Sequence, residues 1–171
     1  MQSNTRGMSG RMSGLHGMTD SPLRQLIAWG DHLKIDQPQI DAQHEAIFRI
    51  AMEVENTWQA HGDTDRLKVL TEKLANVLGG HFRYEEEQLA RVGYPLLDEH
   101  KGEHKVMLDE LQLIRDRLDK MGHGTAQLAP GFMVRNYILG VTVGHICHSD
   151  MEYCVFARKA ADGRKEIWPA A

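Results

Sequence analysis

His81-Phe82-Arg83-Tyr84-Glu85, followed by Gly93-Tyr94-Pro95 and then His100-Lys101-Gly102-Glu103-His104, is the stretch that decides the fold. Each flanking pentapeptide sets two metal-capable side chains at i and i+4, one above the other on a single helix face. Both pairs continue apolar stripes. One reads Leu67, Leu70, Leu74, Val77, His81, Glu85 and Leu89; the other reads Leu97, His100, His104, Met107, Leu111, Ile114 and Leu118. A histidine or carboxylate aimed into a core is costly without a partner. The stripes predict helices over 65–91 and 96–121, with Pro95 suited to a helix start. A tight turn between them brings the two polar pairs together.

Working outward, a third stripe of His44, Ile47, Phe48, Ala51, Val54 and Trp58 predicts a helix over 41–60. His61-Gly62-Asp63 breaks it, with Asp63 or Thr64 as the next N-cap. Gly122 and Gly124 end the helix over 96–121. A last helix begins near Pro130 and ends before Gly163, with Val134, Tyr137, Val141 and His145 inward. No strand-like alternation of useful length occurs. Long amphipathic helices with short turns imply an all-α, antiparallel up-down-up-down four-helix bundle. An irregular N-terminal lead-in, residues 23–40, contains Leu26, Ile27, Trp29, Leu33 and Ile35, with Pro38 near its end, and is expected to lie across the core. Residues 1–22 are rich in Gly, Ser and Met and read as a disordered tail; residues 23–171 read as one bundle domain.

One spacing breaks the helical rule. His145 and Asp150 are i,i+5, about 140° apart on an ideal α-helix. The stripe resumes one residue late, on Asp150, Tyr153 or Cys154, and Ala157. A π-bulge between His145 and Asp150 absorbs the offset; the alternative is a straight helix with Asp150 reaching round.

Composition narrows the function classes. The chain has 171 residues, 42% hydrophobic and 26% charged, within the range of ordinary globular proteins. A formal net charge of −4 gives no case for nucleic acid or an anionic membrane surface. No apolar run suits a bilayer span, and Met1 to Thr19 lacks a secretory apolar stretch. A cytoplasmic, monomeric protein is expected. Cys147 and Cys154 lie seven apart on one helix, about 10 Å at roughly 1.5 Å per residue, too far for a bridge. Both read as free thiols.

Seven residues form the candidate ligand set: His44, His81, Glu85, His100, His104, His145 and Asp150. His44 lies early in its helix, beside the end of the antiparallel helix that carries His81 and Glu85, so all seven can meet at one level of the bundle. Imidazole with carboxylate suits iron, zinc, copper or nickel better than magnesium or calcium. If Glu85 and Asp150 bridge two metals together with a solvent-derived oxygen, three histidines complete six-coordination at one ion. The other two leave the second ion with one open position, suited to a small diatomic molecule. Five neutral histidines with two carboxylates favour a lower oxidation state than the four-carboxylate sites of oxygen-activating bundles, which ranks binding above oxidation. Ile47, Phe48, Phe82, Met107, Leu108 and Ile146 neighbour the ligands and would keep bulk water out.

The motif set Asp41-Ala42-Gln43-His44, His81 through Glu86, Gly93-Tyr94-Pro95, His100 through His104 and His145-Ile146 through Asp150 resembles hemerythrin, most of all its single-domain bacterial form, over about Trp29 to Arg158. The resemblance implies a non-haem di-iron centre with a bridging oxo or hydroxo group that binds dioxygen reversibly. By it, His100, His104 and His145 hold the coordinatively full iron, His44 and His81 hold the iron with the vacancy, and Glu85 and Asp150 bridge. The partner implied is dioxygen, with an oxygen-using enzyme as recipient. The N-terminal tail and the Glu166-Ile167-Trp168-Pro169 segment exceed the compact family domain.

Three functions compete. A non-catalytic oxygen carrier or store leads. An enzyme reducing nitric oxide or peroxide, or oxidising ferrous iron, needs an electron source, and no flavin or haem motif is present. A sensing module would couple ligation to the tail. Among the remaining histidines, His148 points off the stripe, His61 and His123 fall in turns, and His16 and His32 lie outside the bundle. Glu86 and Glu87 read as a solvated face, Glu86 pairing with Arg83 or a neighbouring helix.

Overall fold

The computed structural model describes residues 22–59, 63–121, 128–154 and 156. Four long helices pack as a bundle: α2 (Pro38–Gln59), α3 (Thr64–Val92), α4 (Leu97–Asp119) and α5 (Leu128–Leu139), the last continuing into a π-helical segment, Gly140–Asp150. Consecutive helices pack on one another and α5 closes the bundle against α2. A short α1 (Pro22–Leu26) and a 3-10 turn (Asp31–Leu33) precede them.

The lead-in is ordered and ends earlier than the sequence suggested. Pro38 opens α2 rather than closing the lead-in. Its missing N–H costs nothing in the first turn, and the Gln37 side chain caps the helix by accepting from the Ile40 N–H at 2.7 Å. The Ile35 N–H donates to Asp41 at 2.8 Å, tying the segment down. Ile27, Leu33, Ile35 and Ile40 are buried, whereas Leu26 is exposed. Of the tail read over 1–22, only Pro22 falls among the described residues, where it opens α1.

Asp63 is the N-cap of α3, its carboxylate accepting from the Asp65 N–H at 2.9 Å. Gly93 ends α3 at φ +69°, a conformation glycine adopts without strain. The Tyr94 N–H bonds back to the Leu89 carbonyl at 3.0 Å, satisfying one of the last free acceptors. Most described stripe residues are buried as expected, but Leu97 and Met107 are half-buried, as is Val77, whose inward place Leu78 takes. Buried Glu55 accepts from the Arg135 guanidinium at 2.8 Å and pins α2 to α5. Trp58, Ala157, His16, His61, His123 and Trp168 lie outside the described side chains.

The distortion expected between His145 and Asp150 is present and longer than a single bulge, running from Gly140. Gly140 and Gly144 weaken the local α preference. The Thr142 hydroxyl bonds back to the Ile138 carbonyl at 2.8 Å, a contact that bends helices. In π geometry i and i+5 share a face, so His145 and Asp150 both point inward. The offset is absorbed, and Tyr153 and Cys154 are both buried after it. Cys147 and Cys154 are free thiols.

Candidate metal centre

Regular α-helix sets His81 above Glu85 and His100 above His104, while α2 and the π segment supply His44, His145 and Asp150. All seven side chains are buried and meet in the bundle core. They form two overlapping groups whose ligand atoms lie within 4.8 Å of one another: Glu85, His100, His104, His145 and Asp150; and His44, His81, Glu85 and Asp150. The carboxylates belong to both. Asp150 turns Oδ1 toward His145 Nε2 at 3.1 Å and Oδ2 toward His44 Nε2 at 3.1 Å. Glu85 Oε2 lies 3.1 Å from His100 Nε2, 3.2 Å from His104 Nε2 and 3.8 Å from His81 Nε2.

Each outward-facing ring nitrogen with a partner finds it on the preceding helix. His81 Nδ1 lies 3.3 Å from Gln43 Oε1, His104 Nδ1 2.8 Å from Glu86 Oε1, and His145 Nδ1 3.0 Å from Glu103 Oε2. A carboxylate only accepts, so the Nδ1 of His104 and His145 carry the protons. That leaves the Nε2 atoms of the two rings facing the core, 3.0 Å from each other. His44 Nδ1, Glu85 Oε1 and both Asp150 oxygens are buried with no hydrogen-bond partner among the described residues, a cost relieved when a cation takes their electrons. The residues fit a metal group.

Electrostatics agree. Burial opposes ionisation of Glu85 and Asp150, yet the surrounding imidazoles hold both carboxyls below their usual range. Burial also disfavours the charged forms of His81 and His100, but the carboxylates, Glu85 foremost, raise both. At His145 burial wins and the ring is held neutral. Burial, then Glu85 and Asp150, push the Tyr153 phenol well above its usual value, so it stays a donor beside Glu85.

Apolar walls close the centre. Ile47, Phe48, Phe82 and Ile146 are buried, Met107 and Leu108 pack against them, and Phe82 stacks on His104 with ring centroids 3.8 Å apart. A groove of about 400 Å³ between α2 and α3 counts Gln43, Gly80 and His81 among its lining residues.

Sequence reading missed two of the outer partners. Glu86, read as part of a solvated face that pairs with Arg83 or a neighbouring helix, takes the second course as the acceptor for His104, whereas the like roles of Glu103 and Gln43 went unseen. A signal existed: each sits next to a candidate ligand in sequence, and ligating histidines nearly always hydrogen-bond through the other nitrogen. His148 is exposed and 3.5 Å from Glu152; His32 is exposed. No helix among the described residues is long and apolar enough to cross a membrane.

The family model described as "Hemerythrin HHE cation binding domain" matches residues 37–154, which include all seven residues. A bacteriohemerythrin of Campylobacter jejuni subsp. jejuni serotype O:23/36 (strain 81-176) is 27% identical over 82 residues, 48% of this chain and 62% of that protein. A second, from serotype O:6 (strain 81116 / NCTC 11828), is 26% identical over the same shares. The chain thus spans 62% of the length of these bacteriohemerythrins. The myohemerythrin of Riftia pachyptila is 27% identical over 114 residues, 66% of this chain and 85% of that one. No solved structure matches at a comparable level. With a family model covering the helices that carry the whole polar cluster, the chain belongs to the hemerythrin family.

Proposed function

We propose that this protein binds dioxygen reversibly at a non-haem di-iron centre and acts as a carrier or store rather than a catalyst. His44, His81, Glu85, His100, His104, His145 and Asp150 are the ligands. His100, His104 and His145 would hold one iron and His44 and His81 the other, with Glu85 and Asp150, which belong to both groups, serving both. When bound, the iron pair supplies a reversible electron reservoir for the diatomic ligand.

The observation that carries this reading is the inequality of the two groups. They share both carboxylates, but one has three histidines and the other two. The poorer group leaves a coordination position for a small molecule. The chain's own residues do the rest. Neutral imidazoles outnumber carboxylates, favouring the ferrous pair. Phe48, Phe82 and Ile47 exclude bulk water and slow loss of charged oxygen species. Tyr153, held protonated, keeps a donor beside Glu85. An oxygen-using enzyme is the natural recipient.

The test is an absorption spectrum of anaerobically reduced, iron-loaded protein, before air, after air and after argon. A visible band that comes with air and leaves under argon, without turnover of added reductant, is expected. Prompt conversion to a stable ferric form would sink reversible storage and favour reduction of nitric oxide or peroxide instead.

A further inference from the structure

The acceptors behind the ligands are unequal in a way that follows the two groups. In the three-histidine group, His104 is backed by Glu86 and His145 by Glu103. In the two-histidine group, His81 is backed only by the neutral amide of Gln43, at the longer distance of 3.3 Å, and His44 Nδ1 has no hydrogen-bond partner among the described residues. An anionic acceptor on Nδ1 pulls the proton outward and makes Nε2 a stronger donor to a cation; a neutral amide does so less. It also fixes the tautomer and ring direction before any metal arrives.

We propose that the centre loads in order. The His100/His104/His145 group, with its His104 and His145 rings held in place by the carboxylates of Glu86 and Glu103, takes the first cation, and the His44/His81 group takes the second more weakly. Glu86 and Glu103 are positioning residues for the first, and Gln43 sets the lower affinity of the second. This rests on the dinuclear reading above. It adds an order of assembly, and it makes the metal of the open position the exchangeable one.

The topology explains how the inequality arises. Each outer acceptor is the sequence neighbour of a ligand on its own helix, Gln43 beside His44, Glu86 beside Glu85 and Glu103 beside His104, yet it serves a histidine on the next helix. The chain of support runs α2 to α3, α3 to α4 and α4 to the π segment. It does not close, because nothing described on the π segment reaches His44 Nδ1.

The experiment is a titration of the metal-free full chain with Zn(II), which is redox-inert and diamagnetic, against a chromophoric chelator. Histidine ring signals are followed by nuclear magnetic resonance. The first equivalent should shift His104 and His145 and leave His44 and His81 unmoved. Glu86→Gln and Glu103→Gln keep an acceptor but remove the charge; each should weaken the first equivalent by about tenfold and the second little. Gln43→Glu should tighten the second equivalent and narrow the gap. Circular dichroism of the metal-free variants should match the parent, which separates this role from a structural one. Two equivalents bound in a single class, or losses spread evenly over both, would overturn the order while leaving the dinuclear centre standing. Fewer than two equivalents bound by the parent would overturn the dinuclear reading, and the order with it.

Discussion

The candidate ligand pairs of α3 and α4 sit on regular α-helix, whereas His145 and Asp150 sit on a π-helical segment, and the two regions reach the same core by different physics. On α3 and α4 the i,i+4 spacing aligns each pair without distortion, and apolar packing from Leu78, Phe82, Leu89 and Leu111 holds the helices whether or not a cation is present. On the π segment the pair is aligned only while the backbone keeps a less favoured geometry. The lesson is a division of labour: α3 and α4 are a scaffold that also carries candidate ligands, and the π segment is an arm whose shape is tied to the proposed metal centre.

The largest effect that would break this comparison is loss of the packing itself. Phe82 is buried, lies against His104 and belongs to the main core. Phe82→Ala should cost about 3–5 kcal/mol in urea unfolding of the metal-free chain, and a loss below about 1 kcal/mol would mean α3 is not held by packing. Next comes metal removal. With free metal at about 100 times its dissociation constant, each bound ion adds about 2.7 kcal/mol of stability that chelation removes. The division of labour predicts where the loss appears. Hydrogen exchange should quicken first over 140–154, and α3 and α4 should keep their protection until global unfolding. Equal loss throughout would place the scaffold's stability in the metal as well.

The same contrast explains what the sequence could and could not reveal. The α3–α4 pair was legible because apolar period, ligand spacing and the Gly93 turn all agree on one geometry. The π segment was legible as a misfit: one residue too many between His145 and Asp150. Its extent back to Gly140 was hidden, because a run such as Gly140-Val141-Thr142-Val143-Gly144 carries no periodic mark of i,i+5 bonding. Pro38 was misplaced because a proline serves equally as a stop and as a first helical residue. Glu103 and Gln43 escaped because their partners are on neighbouring helices, and a single helical stripe shows only its own face.

Acid–base behaviour sharpens the comparison further. In the metal-free chain the scaffold histidines, His81 and His100, have raised values, so their contribution to stability is full below about pH 6.5 and fades as pH rises through those values. His145 on the π segment is lowered, so its contribution is present above about pH 6.5 and fades as pH falls. The depressed Glu85 and Asp150 contribute above the ordinary carboxylate range and lose that contribution in stronger acid. Histidine proton shifts followed through a pH titration should show His81 and His100 gaining protons at higher pH than His145. Coincident titration of all three would erase the difference between the regions.

The smallest effect separates the two helix types most directly. Gly79 on α3 and Gly144 on the π segment both have open space where a Cβ would go. In a regular α-helix, Gly79→Ala should stabilise by about 0.4–1 kcal/mol, chiefly by restricting the unfolded chain. At Gly144 the unfolded chain is restricted in the same way, but alanine also favours α over π geometry. The substitution should therefore give less stability in the metal-loaded form than Gly79→Ala does, and it should loosen metal, because His145 and Asp150 share a face only in the π register. Thermal unfolding of both variants, loaded and metal-free, measures this. If Gly144→Ala stabilises the loaded protein as fully as Gly79→Ala and leaves affinity unchanged, the π geometry carries no conformational cost, and the segment belongs with the scaffold rather than with the metal.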